Sequence, residues 1–375
     1  MPEDGRRASA NDAGWLAGRC PQPSAAHAVA AEARQASLTK PAGSLGMLEA
    51  IAINLCALQA TATPTAERAA IVLFAGDHGV TAQGVSAFPS SVTVEMLRNF
   101  ASGGAAISVL ASALGTALSV IDAGALEHSA VAGVLTDKPR CATRDFSAGR
   151  ALLARELDHA LAAGRRAVAR CLDASSDILI LGEMGIGNTT SAAAVAAALN
   201  GCDPQILVGA GAGLDRRGVE HKTRVNSKAL TLHGLDRGKA AARDAVVCVG
   251  GLEIAALTGA IIAAAQARLP VLADGFIVSV AALAAVSLNP TCRPWLLFGH
   301  ASAEHGHSVV LDALDARPIL DLGLRLGEGS GAAAALPIVR LACALHAGMA
   351  TFEEARVSGK SHAPDALPRV VVDGS

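Results

Sequence analysis

The sequence predicts an α/β fold, a parallel sheet with helices on both faces, and a small helical subdomain beside it. Short apolar runs without polar alternation recur along the chain, as in strands that are buried on both faces. Ala-rich helical stretches such as 190–199 and 252–267 lie between these runs. Strand, loop and helix therefore follow one another in turn, which is typical of a parallel sheet.

Composition excludes several functional classes. The chain has 375 residues, enough for one large domain or two ordinary ones. Its 31 Lys and Arg against 33 Asp and Glu give a net charge of −2, so nothing indicates binding to nucleic acid or an anionic membrane. Aromatic residues make up 2% and Tyr is absent, which argues against a base-stacking surface. A hydrophobic fraction of 51% is too high for a disordered chain.

Cysteine usage and the termini favour a cytoplasmic protein. The eight cysteines are scattered and form no CxxC pair, which is typical of small buried side chains in a reducing compartment. The first 14 residues carry acidic groups and no apolar run, so we expect no signal peptide. The stretch 245–267 is nearly apolar but contains Glu253, so we expect a buried helix rather than a membrane span.

The helical parts define the expected domains. Helices are predicted over 24–36 and 44–59, and again from about 331 to 346. The sequence TFEE at 351–354 has the spacing of a capping box, which predicts that another helix begins there. The expected organisation is a mobile N-terminus (1–20), a helical subdomain (21–61 and 332–356), an α/β catalytic domain (62–331) and an irregular tail (357–375).

The apolar runs follow in order through the central domain. We expect strands at 69–76, 117–124, 177–183, 205–209, 270–274, 295–300 and 319–326. Nearly every run ends in glycine together with Asp, Glu or His, whereas glycine alone would be enough for tight turns. Right-handed crossovers place the carboxyl ends of parallel strands at one edge, where ligands bind in Rossmann-like sheets. We therefore expect a functional site at that edge.

A phosphate site is predicted where the third run meets its helix. The segment 177–191, DILILGEMGIGNTTS, passes from an apolar strand through a Gly-rich loop into an Ala-rich helix. Free N–H groups and the positive helix end bind anions there, and the glycines allow close approach. The alternative is an ordinary helix N-cap, and neither GxGxxG nor GxxxxGK[ST] is present. Lys222, after a second Gly-rich turn, is a suitable phosphate ligand, but the residue alone is more typical of a solvated surface lysine.

Two further groups carry chemistry. Asp77, His78 and the cluster at 300–307 contain metal-ligand residue types, but their spacing matches no zinc-protease motif, and we predict no metal. Glu328, within GEGSG at 327–331, precedes an apolar helix. Apolar surroundings would raise its pKa and make it a base near neutral pH, although an acid at a helix N-terminus is an equal alternative.

Together these motifs resemble the nicotinate-nucleotide–dimethylbenzimidazole phosphoribosyltransferases, in order from about residue 40 to 354. The segments that carry the resemblance are KPAGSLG (40–46), AGDHGV (75–80), GVSAFP (84–89), GEMGIGNTT (182–190), VGGLEIAALTGA (249–260), ADGF (273–276), GHASAEHGH (299–307) and LGEGSGAAAALP (326–337). The resemblance implies a pentosyltransferase of cobalamin biosynthesis. It would transfer the phosphoribosyl group of nicotinate mononucleotide to 5,6-dimethylbenzimidazole, giving α-ribazole 5′-phosphate and nicotinate.

The resemblance also implies a homodimer without a cofactor and assigns residue roles. Glu328 would be the catalytic base and Glu183 the second carboxylate. The phosphate would lie against Gly185, Gly187, Asn188 and Thr189, with Gly211, Lys222 and Ser302 nearby, and the acceptor base against Ser86 and Phe88. Two alternatives stay open: a metal-dependent hydrolase that uses Asp77, His78, His300 and His305, and a non-catalytic nucleotide-binding module.

Overall fold

A single parallel sheet forms the centre of the molecule. The structure, a computed structural model, describes residues 13–358. Within this range seven strands pair in the order β3-β2-β1-β4-β5-β6-β7, all parallel. The strands are β1 (Ala69–Gly76), β2 (Ala117–Gly124), β3 (Leu135–Thr136), β4 (Ile178–Met184), β5 (Val271–Ala273), β6 (Leu296–His300) and β7 (Pro318–Leu320). The predicted α/β, Rossmann-like class is confirmed.

The order of the strands fixes where a ligand can bind. The chain runs outward from β1 to β3 and then returns to β4 on the other side of β1. Every residue of β1 is buried, because helices cover both faces and leave only apolar side chains in the strand. Loops that leave β1 and β4 diverge to opposite faces, and a crevice opens at the carboxyl edge between them.

Twelve helices within residues 13–358 surround the sheet. They are α1 (Ala25–Ser37), α2 (Met47–Gln59), α3 (Ser91–Ser102), α4 (Ala106–Ala113), α5 (Ala154–Asp173), α6 (Asn188–Asn200), α7 (Arg216–Leu232), α8 (Ala242–Val249), α9 (Leu252–Gln266), α10 (Phe276–Leu288), α11 (His307–Ala313) and α12 (Ser330–Gly348). The predicted apolar helix over 245–267 is buried as expected, but Gly250 and Gly251 divide it into α8 and α9.

Small residues bring α5 and α9 into backbone contact. A Cβ on Gly164 would lie 2.0 Å from the carbonyl oxygen of Ala256, and one on Gly259 would lie 2.1 Å from that of Leu161. Such distances are far below van der Waals contact, so only glycine fits at either crossing point. The Ala and Gly content of the chain thus produces closely packed layers.

The terminal helices pack together at one side of the sheet. Arg34 of α1 donates to the carbonyl oxygens of His346 and Ala347 at the end of α12, and Gln35 contacts the His346 ring at 2.9 Å. Helix α12 has the length and mean hydropathy (1.4) of a possible membrane span, a property that core helices share, and half of its apolar window is buried. It packs against α2, α4 and β6.

Residues 13–20 pack against the α/β domain, although a mobile N-terminus was predicted over 1–20. Leu16 and Cys20 are buried, and Gln266 of α9 donates to the carbonyl oxygen of Trp15. The rest of that expectation (1–12) and the tail from 359 onward lie outside the described residues.

Four local features differ from the prediction. The run at 319–326 is a strand only as far as Leu320, and residues 321–326 are irregular. The run at 205–209 is not a strand, because Asp203 caps a short 3₁₀ turn over Pro204–Ile206, and residues 207–209 after it pair with no strand of the sheet. The two-residue β3 was not predicted, since both of its residues are exposed. The capping box of Thr351 and Glu354 forms both of its hydrogen bonds, but only a turn follows.

Candidate active site

A cavity of about 330 Å³ lies at the carboxyl edge of the sheet, beside the crevice predicted by the strand order. The ends of β4 and β5, the start of α6 and the loops at 85–88, 210–214, 302–304 and 325–328 form its walls. All of the residues predicted for the site line it: Ser86, Phe88, Glu183, Gly185, Gly187, Asn188, Thr189, Gly211, Lys222, Ser302 and Glu328.

Glu183, near the end of β4, is a buried carboxyl group among other acids. Its Oε2 accepts a short hydrogen bond from Nδ2 of Asn188. Burial raises the pKa of Glu183 well above its usual range, and the negative charges of Asp274, Glu253 and Glu328 raise it further. Gly327 makes room for the group, because a Cβ there would lie 2.3 Å from Oε1. A cationic ligand in the cavity would relieve the repulsion among these acids.

Glu328 occupies a strained turn directly before α12. Its φ of +65° is in the left-handed region, between Gly327 at +82° and Gly329 at +87°. Such a conformation in a residue other than glycine typically costs on the order of 1 kcal/mol or more and concentrates at functional positions. Burial raises the pKa of the Glu328 carboxyl, the N–H of Ile107 (3.3 Å from Oε2) lowers it, and Asp274 raises it. The turn presents a carboxyl group with a raised pKa to the cavity.

The start of α6 lies on the cavity wall, in contact with a buried lysine. The helix begins at Asn188, after Gly187 at φ +95°, so its positive end faces the cavity. The N–H groups of Asn188, Thr190 and Ser191 donate to the carbonyl oxygens of Gly185 and Gly187. Lys222 is only 1% exposed, and its Nζ donates to Oγ1 of Thr189 at 2.7 Å and to the carbonyl oxygen of Gly209 at 3.4 Å. Burial lowers the pKa of Lys222 to about 8, against the charge of Glu304.

No carboxylate within residues 13–358 forms an ion pair with Lys222. A buried ammonium group without an ionic partner is costly, and a bound anion would compensate it. Gly211 closes this end of the cavity: its φ is +54°, and a Cβ there would lie 2.8 Å from Oγ1 of Thr189. The arrangement suits a phosphate group.

Part of the cavity wall is apolar. Its side chains include Val92, Met96, Met184 and Leu326. Phe88 is 49% exposed at the mouth, and its N–H donates to Oγ of Ser86 at 3.2 Å. Such a wall suits a flat apolar ring.

Comparison with known proteins identifies the family. Residues 20–357 match the family described as Phosphoribosyltransferase. The chain is 61% identical, over 92% of its length and 98% of the relative's, to the nicotinate-nucleotide–dimethylbenzimidazole phosphoribosyltransferase of Bradyrhizobium sp. (strain ORS 278). The chain belongs to the nicotinate-nucleotide–dimethylbenzimidazole phosphoribosyltransferase family.

Further members agree with this assignment. The enzyme of that name from Pseudomonas aeruginosa (strain UCBPP-PA14) is 57% identical over 87% of this chain and 93% of its own. The crystal structure of the Thermus thermophilus enzyme superposes with a TM-score of 0.84 at 41% identity, covering 90% of this chain and all of that one. The resemblance seen in the sequence motifs is thus confirmed.

The structure adds three charged cavity residues that sequence reasoning did not assign to this phosphoribosyltransferase site: Asp274, Glu304 and Arg325. Asp274 carried a signal, since it follows an apolar run and precedes a glycine like the other strand-end acids. Arg325 carried none, because it lies in an irregular segment between β7 and α12. Arg325 and Lys222 are the two cationic residues that line the described cavity.

The residues of the hydrolase alternative do not converge. His78 Nε2 lies 2.8 Å from Oε1 of Glu253 in a fully buried pair, while Asp77 accepts from Thr93 at 2.6 Å. His300 lies 3.5 Å from Asp274, and His305 packs against Gly209. Across residues 13–358 no three His, Cys, Asp or Glu side chains are grouped to hold a metal ion.

Proposed function

We propose that the chain transfers the 5-phosphoribosyl group of nicotinate mononucleotide to 5,6-dimethylbenzimidazole, giving α-ribazole 5′-phosphate and nicotinate, in assembly of the cobalamin nucleotide loop. The observation that carries the proposal is one cavity that combines two buried carboxyl groups, Glu183 and Glu328, with an anion site at Lys222. The names of the relatives support the choice of substrates.

Departure of the leaving group from the donor needs little catalytic assistance. In nicotinate mononucleotide the pyridine nitrogen is already cationic, so nicotinate departs with a neutral ring nitrogen and no general acid is needed. No pyrophosphate leaves, so no divalent cation is needed to bind it. What the reaction requires is a phosphate anchor, stabilisation of a ribosyl cation and one base.

Glu328 supplies the base. Benzimidazole attacks the anomeric carbon through one nitrogen, while its other nitrogen loses a proton. The raised pKa of Glu328 suits a group that accepts this proton near neutral pH. The apolar wall at Val92, Met96 and Met184 would hold the benzimidazole ring, with Ser86 and Phe88 at the mouth.

Glu183 supplies electrostatic stabilisation. As nicotinate leaves, the ribosyl carbon becomes oxocarbenium-like, and a nearby carboxylate offsets this charge. The cationic donor opposes the effects of Asp274, Glu253 and Glu328 that raise the pKa of Glu183. Asn188 Nδ2 fixes the carboxyl group. Attack opposite to the leaving group converts the β-nucleotide into an α-nucleotide.

We also propose a homodimer in the cytoplasm. The family resemblance supports the dimer, and Leu322 and Leu326, 60% and 58% exposed, are apolar surface that a second copy would cover. Free thiols at all eight cysteines are consistent with a reducing compartment. Light scattering on the eluted protein tests the dimer, and a monomer mass would refute it.

The decisive experiment mixes the protein with nicotinate mononucleotide and 5,6-dimethylbenzimidazole and measures free nicotinate and α-ribazole 5′-phosphate. The proposal requires both products in equal amounts, and only when the acceptor is present. A hydrolase would release nicotinate without acceptor. A nucleotide-binding module would bind the donor without turnover, and either result would refute the proposal.

A further inference from the structure

Asp274 makes two hydrogen bonds to the backbone that carries Glu328. The N-cap residue of α12 is Gly329, which has no side chain to cap the helix. Asp274, just after β5 and only 1% exposed, accepts the N–H of Gly329 on Oδ2 at 3.2 Å and the N–H of Ala332 on Oδ1 at 2.9 Å. A carboxylate from a separate strand therefore caps α12.

We propose that Asp274 is the positioning residue for the reaction, because its two hydrogen bonds hold the turn that presents Glu328 to the cavity. The inference rests on the proposed function. The turn needs such support, since Gly327, Glu328 and Gly329 are all at positive φ and nothing in the local sequence favours that conformation for Glu328. Glu328 itself follows Asp274 by 54 residues, so the sheet brings the pair together.

The turn at 327–329 is also closely packed against β4 and β6. A Cβ on Gly182 would lie 2.3 Å from the carbonyl oxygen of Glu328, and a Cβ on Gly331 would lie 1.9 Å from the His300 ring. The turn is thus packed between β4 and β6, and Asp274 fixes it from β5. Loss of these hydrogen bonds would shift the Glu328 carboxyl group, and displacement by about 1 Å can cost about 100-fold in rate.

Asp274 also acts on Glu328 through its charge. The groups that face Glu328 are Asp274 after β5, Glu183 on β4, the N–H of Ile107 on α4 and, beside Asp274, His300 on β6. Burial raises the pKa of Glu328 most, and the Asp274 charge adds to that rise. A neutral residue at 274 should therefore lower the pKa of Glu328, whereas a purely structural role would leave it in place.

Asp122 provides a matched control. It lies near the end of β2, is 2% exposed, and its Oδ1 accepts the N–H groups of Gly124 at 3.1 Å and Ala125 at 2.7 Å. It does not line the cavity. Asp122 also forms an ion pair with Lys138, and its backbone contacts are local. Asp122→Asn therefore controls for loss of a buried carboxylate that accepts backbone N–H groups, away from Glu328.

The test measures kcat, both KM values and the pH dependence of kcat for Asp274→Asn and Asp122→Asn. The pH dependence is measured in a Glu183→Gln background as well, because the Asp274 charge also raises the pKa of Glu183. We expect kcat of Asp274→Asn to fall about 10- to 100-fold with KM nearly unchanged, and its acid limb to move to lower pH. Asp122→Asn should keep the parental acid limb. An acid limb of Asp274→Asn at the parental pH would overturn the proposal, whatever the size of the kcat effect.

Thermal unfolding of both variants shows whether they fold. If Asp274→Asn does not, Asp274→Ser removes the charge with less volume, and its pH profile is interpreted in the same way. The activity of the parent enzyme distinguishes a failure of the proposed function from a failure of the role proposed for Asp274. A parent without transferase activity refutes the proposed function, whereas an active parent with an unmoved limb in the variant refutes only the role of Asp274.

Discussion

The backbone N–H of Glu328 donates to the carbonyl oxygen of Glu183 at 3.2 Å, so main chain joins the two carboxyl groups of the cavity. The hydrogen bond links the end of β4 to the turn before α12. Backbone contact leaves little freedom to vary the separation of the two groups. Their distinct roles must therefore come from their surroundings, which differ in charge and burial.

Glu328→Gln should fold and bind both substrates but lose turnover. General-base catalysis contributes about 10²–10⁴-fold, so we expect a loss of kcat in that range. The parental rate should fall at low pH as Glu328 becomes protonated, and Glu328→Gln should lose this part of the acid limb while keeping the part that protonation of Glu183 produces. Glu220→Gln, on the exposed surface of α7, is the control and should retain parental kcat.

Glu183→Gln should also slow turnover, because the amide cannot stabilise the ribosyl cation as a carboxylate does. Its acid limb should remain, since Glu328 is intact. The pH dependence of kcat for both variants distinguishes the two roles. If Glu183→Gln loses the limb while Glu328→Gln keeps near-parental kcat, the assignments are reversed.

Lys222→Ala should raise the KM for nicotinate mononucleotide and leave the KM for dimethylbenzimidazole nearly unchanged. A hydrogen bond to a charged group contributes about 1.5–3 kcal/mol. The pKa of Lys222, about 8, adds a pH effect: the ammonium loses its proton as pH rises through that value. Parental kcat/KM for the nucleotide should fall above about pH 8, and this alkaline limb should be absent in Lys222→Ala. Equal KM values in both proteins would remove Lys222 from the site.

Arg325→Gln should reduce the preference for nicotinate mononucleotide over nicotinamide mononucleotide. The donor carries a phosphate and a ring carboxylate, and Lys222 and Arg325 are the two cations along the described cavity. With Lys222 at the phosphate, Arg325 is the remaining partner for the carboxylate. Competition between the two donors measures the preference. Arg216→Gln, 94% exposed on α7, should leave it unchanged, and an unchanged preference in Arg325→Gln would disprove this role.

Activity should survive prolonged treatment with EDTA, because the pyridinium leaving group needs no Lewis acid. Initial rates before and after chelation give the result, with and without added Zn²⁺ or Mn²⁺. Activity that is lost and then restored by either ion would contradict this mechanism and favour metal-assisted chemistry.

Sequence reasoning located the cavity because buried strands give continuous apolar runs and a parallel sheet brings their ends to one edge. It failed where a local cap overrides the composition of a strand, and where contacts between distant segments decide the outcome. Ile206 and Leu207 have the composition of a strand, but the Asp203 cap and Pro204 start a 3₁₀ turn. Asp274 was recognisable as a strand-end acid, but its hydrogen bonds to Gly329 and Ala332 depend on where α12 docks.

The glycine contacts between α5 and α9 have a consequence for amide hydrogen exchange. Because backbone meets backbone at Gly164 and Gly259, neither helix can separate from the other without opening the layer between them. Amide protons of α9, which is buried along nearly its whole length, should exchange only when the entire domain unfolds. Those of the exposed segment 321–326 should exchange through local opening. Comparison of deuterium uptake in α9 and in 321–326 would distinguish global unfolding of the domain from local opening beside the cavity.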